Sequence, residues 1–505
     1  MTLDESIKLY AKSNEKRRAA LASGRGDVAA QNEAAEVWNA WCKDVVAELD
    51  ELKSCGEKLL PCPSESTSTR EGWEGMMAEW RSQHSEMMRA WIDRSTVDFS
   101  SFRFSSGESV LRSAAEIACG GNSRSSEGGG ENERQISPLV ARFGEEAVAY
   151  RFNGFKFPGP VRFTGACFDG PASFNEAVFM MPVSFNYATF EWVASFFGTT
   201  FKDDTFFKKS RFKMAAVFRR AKFSGLSTFY GAIFDNEAWF QRAKFKGRTS
   251  FVQSDFNGFA DFSDAHFISD PRLKREIEFR AVAVRRALSL SGTKFDSIPD
   301  FTEAQFSSAP RLDNMTLGPD VEAANFWLAV FRHCDVNTAA RYRELKRLAI
   351  QAHNHELENR FFRAEQRAYC SAFCSPRPWR AGCARWWLAT AYDALSDFGC
   401  SATRPLLLWV ASVLCFAFLY RAFLPQSCTY PDRFWLSMFL SLSNSIPGVG
   451  LSKTFDAEQI ISCFNGGVLN EFAVNFGYIG IVQYVCSIIL IFLFGLGLRS
   501  IFRIK

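Results

Sequence analysis

Residues 173–190 read SFNEAVFMMPVSFNYATF. Phenylalanine returns there at Phe174, Phe179, Phe185 and Phe190, in steps of five, six and five. The same rhythm starts at Phe152 and Phe157. It runs without a miss through Phe163, Phe168, Phe174, Phe179, Phe185, Phe190, Phe196, Phe201, Phe207, Phe212, Phe218, Phe223, Phe229, Phe234, Phe240, Phe245, Phe251, Phe256, Phe262 and Phe267. From Phe163 onward the residue two places before each ring is small, as Ala172, Ala177, Val183 and Ala188 show. A period this strict signals a repeat architecture.

An α-helix cannot use the period. Helical stripes need returns at three and four residues. Steps of five and six place successive rings about 140° and 240° around the axis, so no face forms. A straight strand fails as well, because a five-residue step sends the ring to the opposite face. The chain must therefore bend between rings, each short extended piece pointing its Phe inward. Gly, Asn, Asp and Ser between the rings supply the bends.

SFNEAVF, SFNYATF and TFYGAIF resemble the repeat unit of the pentapeptide-repeat family, A-(N/D)-(L/F)-x-x, in the variant that alternates five- and six-residue units. The resemblance implies a right-handed quadrilateral β-helix, with four units and about 22 residues per coil. The unbroken ladder then makes about five coils, a rod roughly 25 Å long. Each buried ring contributes about 1.5–3 kcal/mol, enough for a core of its own. Members of the family are mostly binding surfaces or scaffolds. Some imitate DNA and bind gyrase, and those are strongly acidic. Residues 151–267 here hold fifteen Lys/Arg against ten Asp/Glu, a balance of +5, which argues against that role.

The whole chain has 505 residues and a formal charge of +4, too small to imply nucleic acid. Its fourteen cysteines are scattered, as in reduced cytosolic protein. Met1–Ala20 is charged and polar, so no cleaved signal peptide is expected.

The expected fold class is mixed: a β-helix with flanking helices and two C-terminal transmembrane helices. Residues 1–95 read as a helical N-terminal region that caps the rod. Val37, Trp41, Val45, Leu49 and Leu52 have helical spacing, and a second helix is expected over Trp73–Trp91. The tryptophans there pack the helices on each other or on the rod's open end. Phe99 and Phe104 place the first repeat strands in 96–104. Residues 105–145, rich in Gly, Ser and Glu, read as a disordered insertion. The β-helix proper is expected over 146–310, with DPRLKREIEFRAVAVRRALSL as a helical or irregular insertion and an end near Phe306. Residues 311–400 read as a helical juxtamembrane region, broken near His353–His355, whose basic face is either solvated or set against anionic lipid.

Residues 401–505 form the expected two-span region. Pro405–Phe423 and Phe472–Leu498 are each long and apolar enough to cross a bilayer. Basic residues outside the pair of spans (Arg377, Arg380, Arg385, Arg404, Arg499, Arg503 and Lys505) predict an inner-membrane protein with both termini cytosolic. Cys428 and Cys463 fall in the outer loop, where a disulfide is possible. That loop also holds Asn444, Ser445, Ile446, Pro447, Gly448, Val449 and Gly450 after a short apolar run. A span, a short helix, a Gly-bearing loop and a second span resemble the plan of a two-span tetrameric cation channel. Ile446 and Pro447 depart from that family's filter motif, so the stretch reads either as a pore loop or as a plain external linker. ARYRELKRLAIQAHNHELENRFFRAEQRA, LSDFGCSATRPLLLWV and the terminal FLFGLGLRSIFRIK resemble the shared C-terminal region of bacterial membrane-associated pentapeptide-repeat proteins.

No phosphate loop, dinucleotide motif, zinc-protease motif or nucleophile elbow is present. Asp203 and Asp204 read as solvated corner residues. His333, His353 and His355, like Cys370, Cys374 and Cys383, lack metal-site spacing. No catalytic residue, cofactor or metal site is expected. The functional expectation is a membrane-anchored scaffold with a protein partner or self-association, or else an oligomeric channel, tetrameric if so.

Overall fold

Ring steps of five and six residues close into a stack only if two kinds of corner alternate, and they do. The computed structural model describes residues 3–24, 27–60, 72–104, 150–268, 276–318, 336–373, 383–423, 433–446 and 469–502. The chain forms two units: Met1–Ala323 with Ala340–Glu358, and Ala324–Ala339 with Asn359–Lys505.

The first unit is built on a parallel-strand β-solenoid of about seven turns, its four sides each a sheet of seven or eight strands. Each strand is two residues long. In one turn, side one holds Val161–Arg162, side two Cys167–Phe168, side three Ala172–Ser173 and side four Val178–Phe179. Stacking is in register: Val161 lies on Val183, Phe168 on Phe190, Ala172 on Ala194 and Val178 on Thr200.

Every ladder ring from Phe152 to Phe267 is at most 1% exposed. Phe163, Phe185, Phe207, Phe229 and Phe251 form one column, with centroids 4.7–4.9 Å apart and planes within 4°. The column from side three meets it edge-on, as in Phe196–Phe207 at 5.5 Å and 87°. Stacking along the axis and edge contacts across it are the two favoured aromatic geometries. The small residue before each ring leaves room for both.

Five-residue steps close with a hydrogen-bonded turn, such as Ala177 N–H to the Phe174 carbonyl at 3.1 Å. Its third residue is left-handed. Gly165, Gly198 and Gly231 occupy this position, but so do Glu176, Tyr187, Lys209 and Arg220, with φ of 53–58°. Non-glycine residues there cost about 1 kcal/mol each. Bends therefore do not depend on the small polar residues alone. Asparagines tie adjacent coils instead: the Asn175 carboxamide oxygen accepts from Ser195 Oγ at 2.6 Å and from Phe197 N–H at 3.2 Å.

The stretch expected as an insertion is mostly another coil. Ile277–Glu278 pairs with Thr249–Ser250, Ala283–Val284 with Asp255–Phe256, and Leu288–Ser289 with Ala260–Asp261. Phe279, Val284 and Leu290 are buried at the ring positions. Thr316–Leu317 still pairs with Lys294–Phe295, so the solenoid passes Phe306, with Leu312 and Leu317 buried. At the other end, Val97 lies on Val161 and Phe104 on Phe168. The expected insertion at 105–145 lies outside the described residues.

Helices α1 (Leu3–Ala22) and α2 (Asp27–Ser54) cover the first coil. Its strand edge would otherwise carry unpaired amides. Ser6 Oγ accepts from Asp98 N–H at 3.1 Å, and the Tyr10 hydroxyl from Arg151 N–H at 3.2 Å. Asn39 accepts from Lys156 N–H at 2.8 Å and donates to the Gly154 carbonyl at 3.2 Å. Tyr10 stacks on Phe152 at 4.6 Å, and Trp38 on Phe155 at 5.1 Å. Instead of one helix over Trp73–Trp91 there are two, α3 (Gly72–Ser82) and α4 (Glu86–Ser95). Ser85 caps the second by accepting from Met88 N–H. Trp73 meets Phe206 at 5.7 Å on the flank of side one, away from the open end. Trp80 and Trp91 pack with Val45 and Leu49.

After the solenoid, helix Val336–Gln351 lies on the last coils. Arg347 donates to the Ala304 carbonyl at 2.9 Å, and Leu345 and Leu348 are buried. The next helix is His355–Phe373. His353, with φ of 53°, stands in the break.

The second unit contains helices Cys383–Ser396, Thr403–Phe423, Arg433–Ser445 and Leu469–Phe502, the last three packed on one another. Thr403–Ala422 and Tyr478–Ser500 are two candidate membrane-spanning helices, with mean hydropathy 1.8 and 2.4. They run antiparallel. Gly497 approaches the other helix so closely that a Cβ there would lie 2.6 Å from the Ala402 Cα.

Candidate functional site

The second unit buries polar groups between its apolar helices. Gln483, in the apolar stretch of helix Leu469–Phe502, is fully buried. Its Nε2 lies 2.7 Å from Ser441 Oγ and 2.8 Å from both the Ser441 carbonyl and Ser445 Oγ. Ser441 Oγ donates to the Val413 carbonyl at 2.6 Å, near the middle of the first candidate span. Trp409 Nε1 donates to the Ser445 carbonyl at 3.3 Å, and Asn444 donates to the Tyr420 hydroxyl at 3.0 Å. Three helices thus share one polar seam. Among the described residues, Gln483 Oε1 and Ser487 Oγ find no partner.

This places part of the expected pore loop. Asn444 and Ser445 belong to the last helical turn, and their polar groups are engaged with the spans. Ile446 follows the helix. Pro447, Gly448, Val449 and Gly450 lie outside the described residues, as do Cys428, Cys463 and His333. The partners Gln483, Ser441, Trp409 and Tyr420 were not singled out from the sequence. The usable signal was Gln483 and Ser487, one turn apart on an apolar helix.

A second polar cluster precedes the first candidate span. Arg367 pairs with Asp393 at 2.9 Å and with Asp397 at 2.7 Å, and Arg363 also meets Asp397. Asp393 and Asp397 are buried. Asp397, Phe398 and Gly399 are all left-handed, with φ of 54°, 54° and 78°. The arginine clamp holds a turn that would otherwise cost a few kcal/mol. Burial raises the Cys400 thiol beside it, away from the reactive thiolate.

On the solenoid, Asp203 and Asp204 are not solvated corners. Asp204 is buried and accepts from Leu226 N–H at 2.7 Å in the next coil. Burial raises the Asp203 carboxyl, against the pull of its bond from Asp204 N–H. Among the described residues no group of three His, Cys, Asp or Glu side chains could hold a metal.

The geometry defines a class, the four-sided β-solenoid. A family model for pentapeptide repeats, in nine copies, matches residues 152–200 and 229–277 of this chain. Solenoids of this repeat are structural folds, usually without enzymatic activity. No curated protein and no solved structure matches the chain.

Proposed function

We propose that the protein is a membrane-anchored scaffold whose solenoid presents flat, regularly spaced side chains to a protein partner or to another copy. One observation carries the anchor. The candidate spans turn Leu407, Phe418, Ile481 and Phe492 outward, all more than 60% exposed, while Gln483, Ser441, Ser445 and Ser487 are buried. Water would reverse this arrangement, whereas hydrocarbon favours it. The basic residues flanking the spans favour an inner membrane with both termini cytosolic. Affinity capture of the full chain from detergent-solubilised membranes tests the scaffold. A stoichiometric partner or a defined homo-oligomer supports it, and a monomer that captures nothing contradicts it.

A second reading, an oligomeric channel, is favoured by helix Arg433–Ser445. It packs against both candidate spans, and its Ser441 meets the first near mid-length. Conductance in planar bilayers with a tetramer in detergent supports this reading. A silent monomer or dimer excludes it.

A further inference from the structure

The solenoid's sides handle charge in opposite ways. On side two, the basic residues pair with acids of a neighbouring coil. Arg103 pairs with Asp169 at 2.8 Å, Lys213 with Glu191 at 2.7 Å and Arg211 with Asp235 at 2.7 Å. The lysines stacked on side four are not paired in this way. Lys222 lies in register on Lys244, Lys244 on His266, and His266 on Lys294. Lys202 and Lys246 stand beside the row, and Arg220 and Arg242 on the adjoining corner. All seven Lys and Arg named for side four and its corner are exposed.

The rings beneath set the spacing: Phe201, Phe223, Phe245, Phe267 and Phe295 stack at 4.7–4.8 Å. Like charges stacked directly in a sheet are unfavourable. Among the described residues, Lys202, Lys222, Lys244 and Lys294 form no ion pair. Nearby acids compensate little. Asp203 is partly buried, and burial raises its carboxyl. Asp264 faces Arg242 at 3.6 Å in an exposed pair. Asp296 is engaged by His266 at 3.2 Å. The same fold pairs its charges on side two, so the exposed lysines stacked on side four are not required by the solenoid.

We infer that side four is a docking face for anionic phospholipid headgroups. The row is flat and straight, which suits a plane of charge better than a groove-bound ligand. Lysine ammoniums on flexible stems meet phosphates as point charges, without fixed geometry. A rod tethered by its own chain to a bilayer meets headgroups at high effective concentration. The inference rests on the anchored reading above.

The test uses the full chain in nanodiscs of phosphatidylcholine, with or without phosphatidylglycerol, probed by amine-reactive labelling and mass spectrometry. Labelling of Lys222 and Lys244 should fall in the anionic discs and recover at high salt. Lys213, paired on side two, should label equally in both. Lys222→Gln and Lys244→Gln, which leave the lumen untouched, should each weaken the association about fivefold. A chain that does not enter discs contradicts the anchored reading. Labelling beside vesicles of the same lipids then judges the face alone. Protection by a DNA duplex or by polyglutamate, with none by phosphatidylglycerol, would reassign the face to nucleic acid or acidic protein. Equal labelling in neutral and anionic lipid overturns the inference.

Discussion

Phe251 and Phe279 stack at 5.0 Å with 9° between their planes, although 28 residues separate them. Phe229 and Phe251, the preceding pair in the column, stack at 4.7 Å across 22 residues. The stack keeps its register through a coil six residues too long, so the rings and the parallel pairing, not chain length, set the position of each turn. Loop length costs little free energy once the ends are fixed. Deleting six residues from 269–275 should leave the melting temperature within about 5 °C. A larger fall, read by circular dichroism, would mean that this segment supports the coil.

The centre of the stack should respond differently. Phe218 lies 4.7 Å from Phe196 and 4.8 Å from Phe240, and it meets Phe207 and Phe229 edge-on. Phe218→Ala opens a cavity that the neighbouring coils cannot close without breaking register. The expected cost is about 3–5 kcal/mol in denaturant unfolding. Phe306→Ala, at a partly exposed ring near the end, should cost much less. Equal effects would argue against a continuous core.

The ladder was legible because Phe repeats at a spacing that neither helix nor strand can use. The coil through Val284 and Leu290 was not, because aliphatic residues fill the inward positions there and the aromatic period lapses. Trp73 against Phe206 was hidden for another reason: it joins residues 133 positions apart, and no local pattern encodes that. The polar seam sat in plain view as Gln483, but the absence of formal charge made its helix look uniformly apolar.

Asp203 gives a pH test. Burial raises its folded-state carboxyl above the unfolded value, so ionisation costs stability above the folded pKa and nothing below the unfolded one. Asp203→Asn keeps an oxygen to accept from Asp204 N–H. It should raise the melting temperature modestly at pH 7, and the gain should vanish once the medium is acid enough to protonate free aspartate. A gain that persists in acid would show that charge burial is not the cause.

Gln483 tests the seam. Gln483→Leu keeps the volume and removes the donor shared by Ser441 and Ser445. Ser441 can still donate to the Val413 carbonyl, so the expected loss is modest, about 1 kcal/mol in detergent. Helix Arg433–Ser445 should then exchange its amide hydrogens faster than the spans do. Unchanged protection there would mean that the seam does not hold this helix in place.

Alkaline carbonate washing of membranes from cells that make the full chain bears most directly on the anchored solenoid. Two helices with apolar residues outward and a polar seam within should keep the protein in the membrane pellet, while peripheral proteins are stripped away. Recovery of the intact chain in the wash would mean that those helices do not span a bilayer.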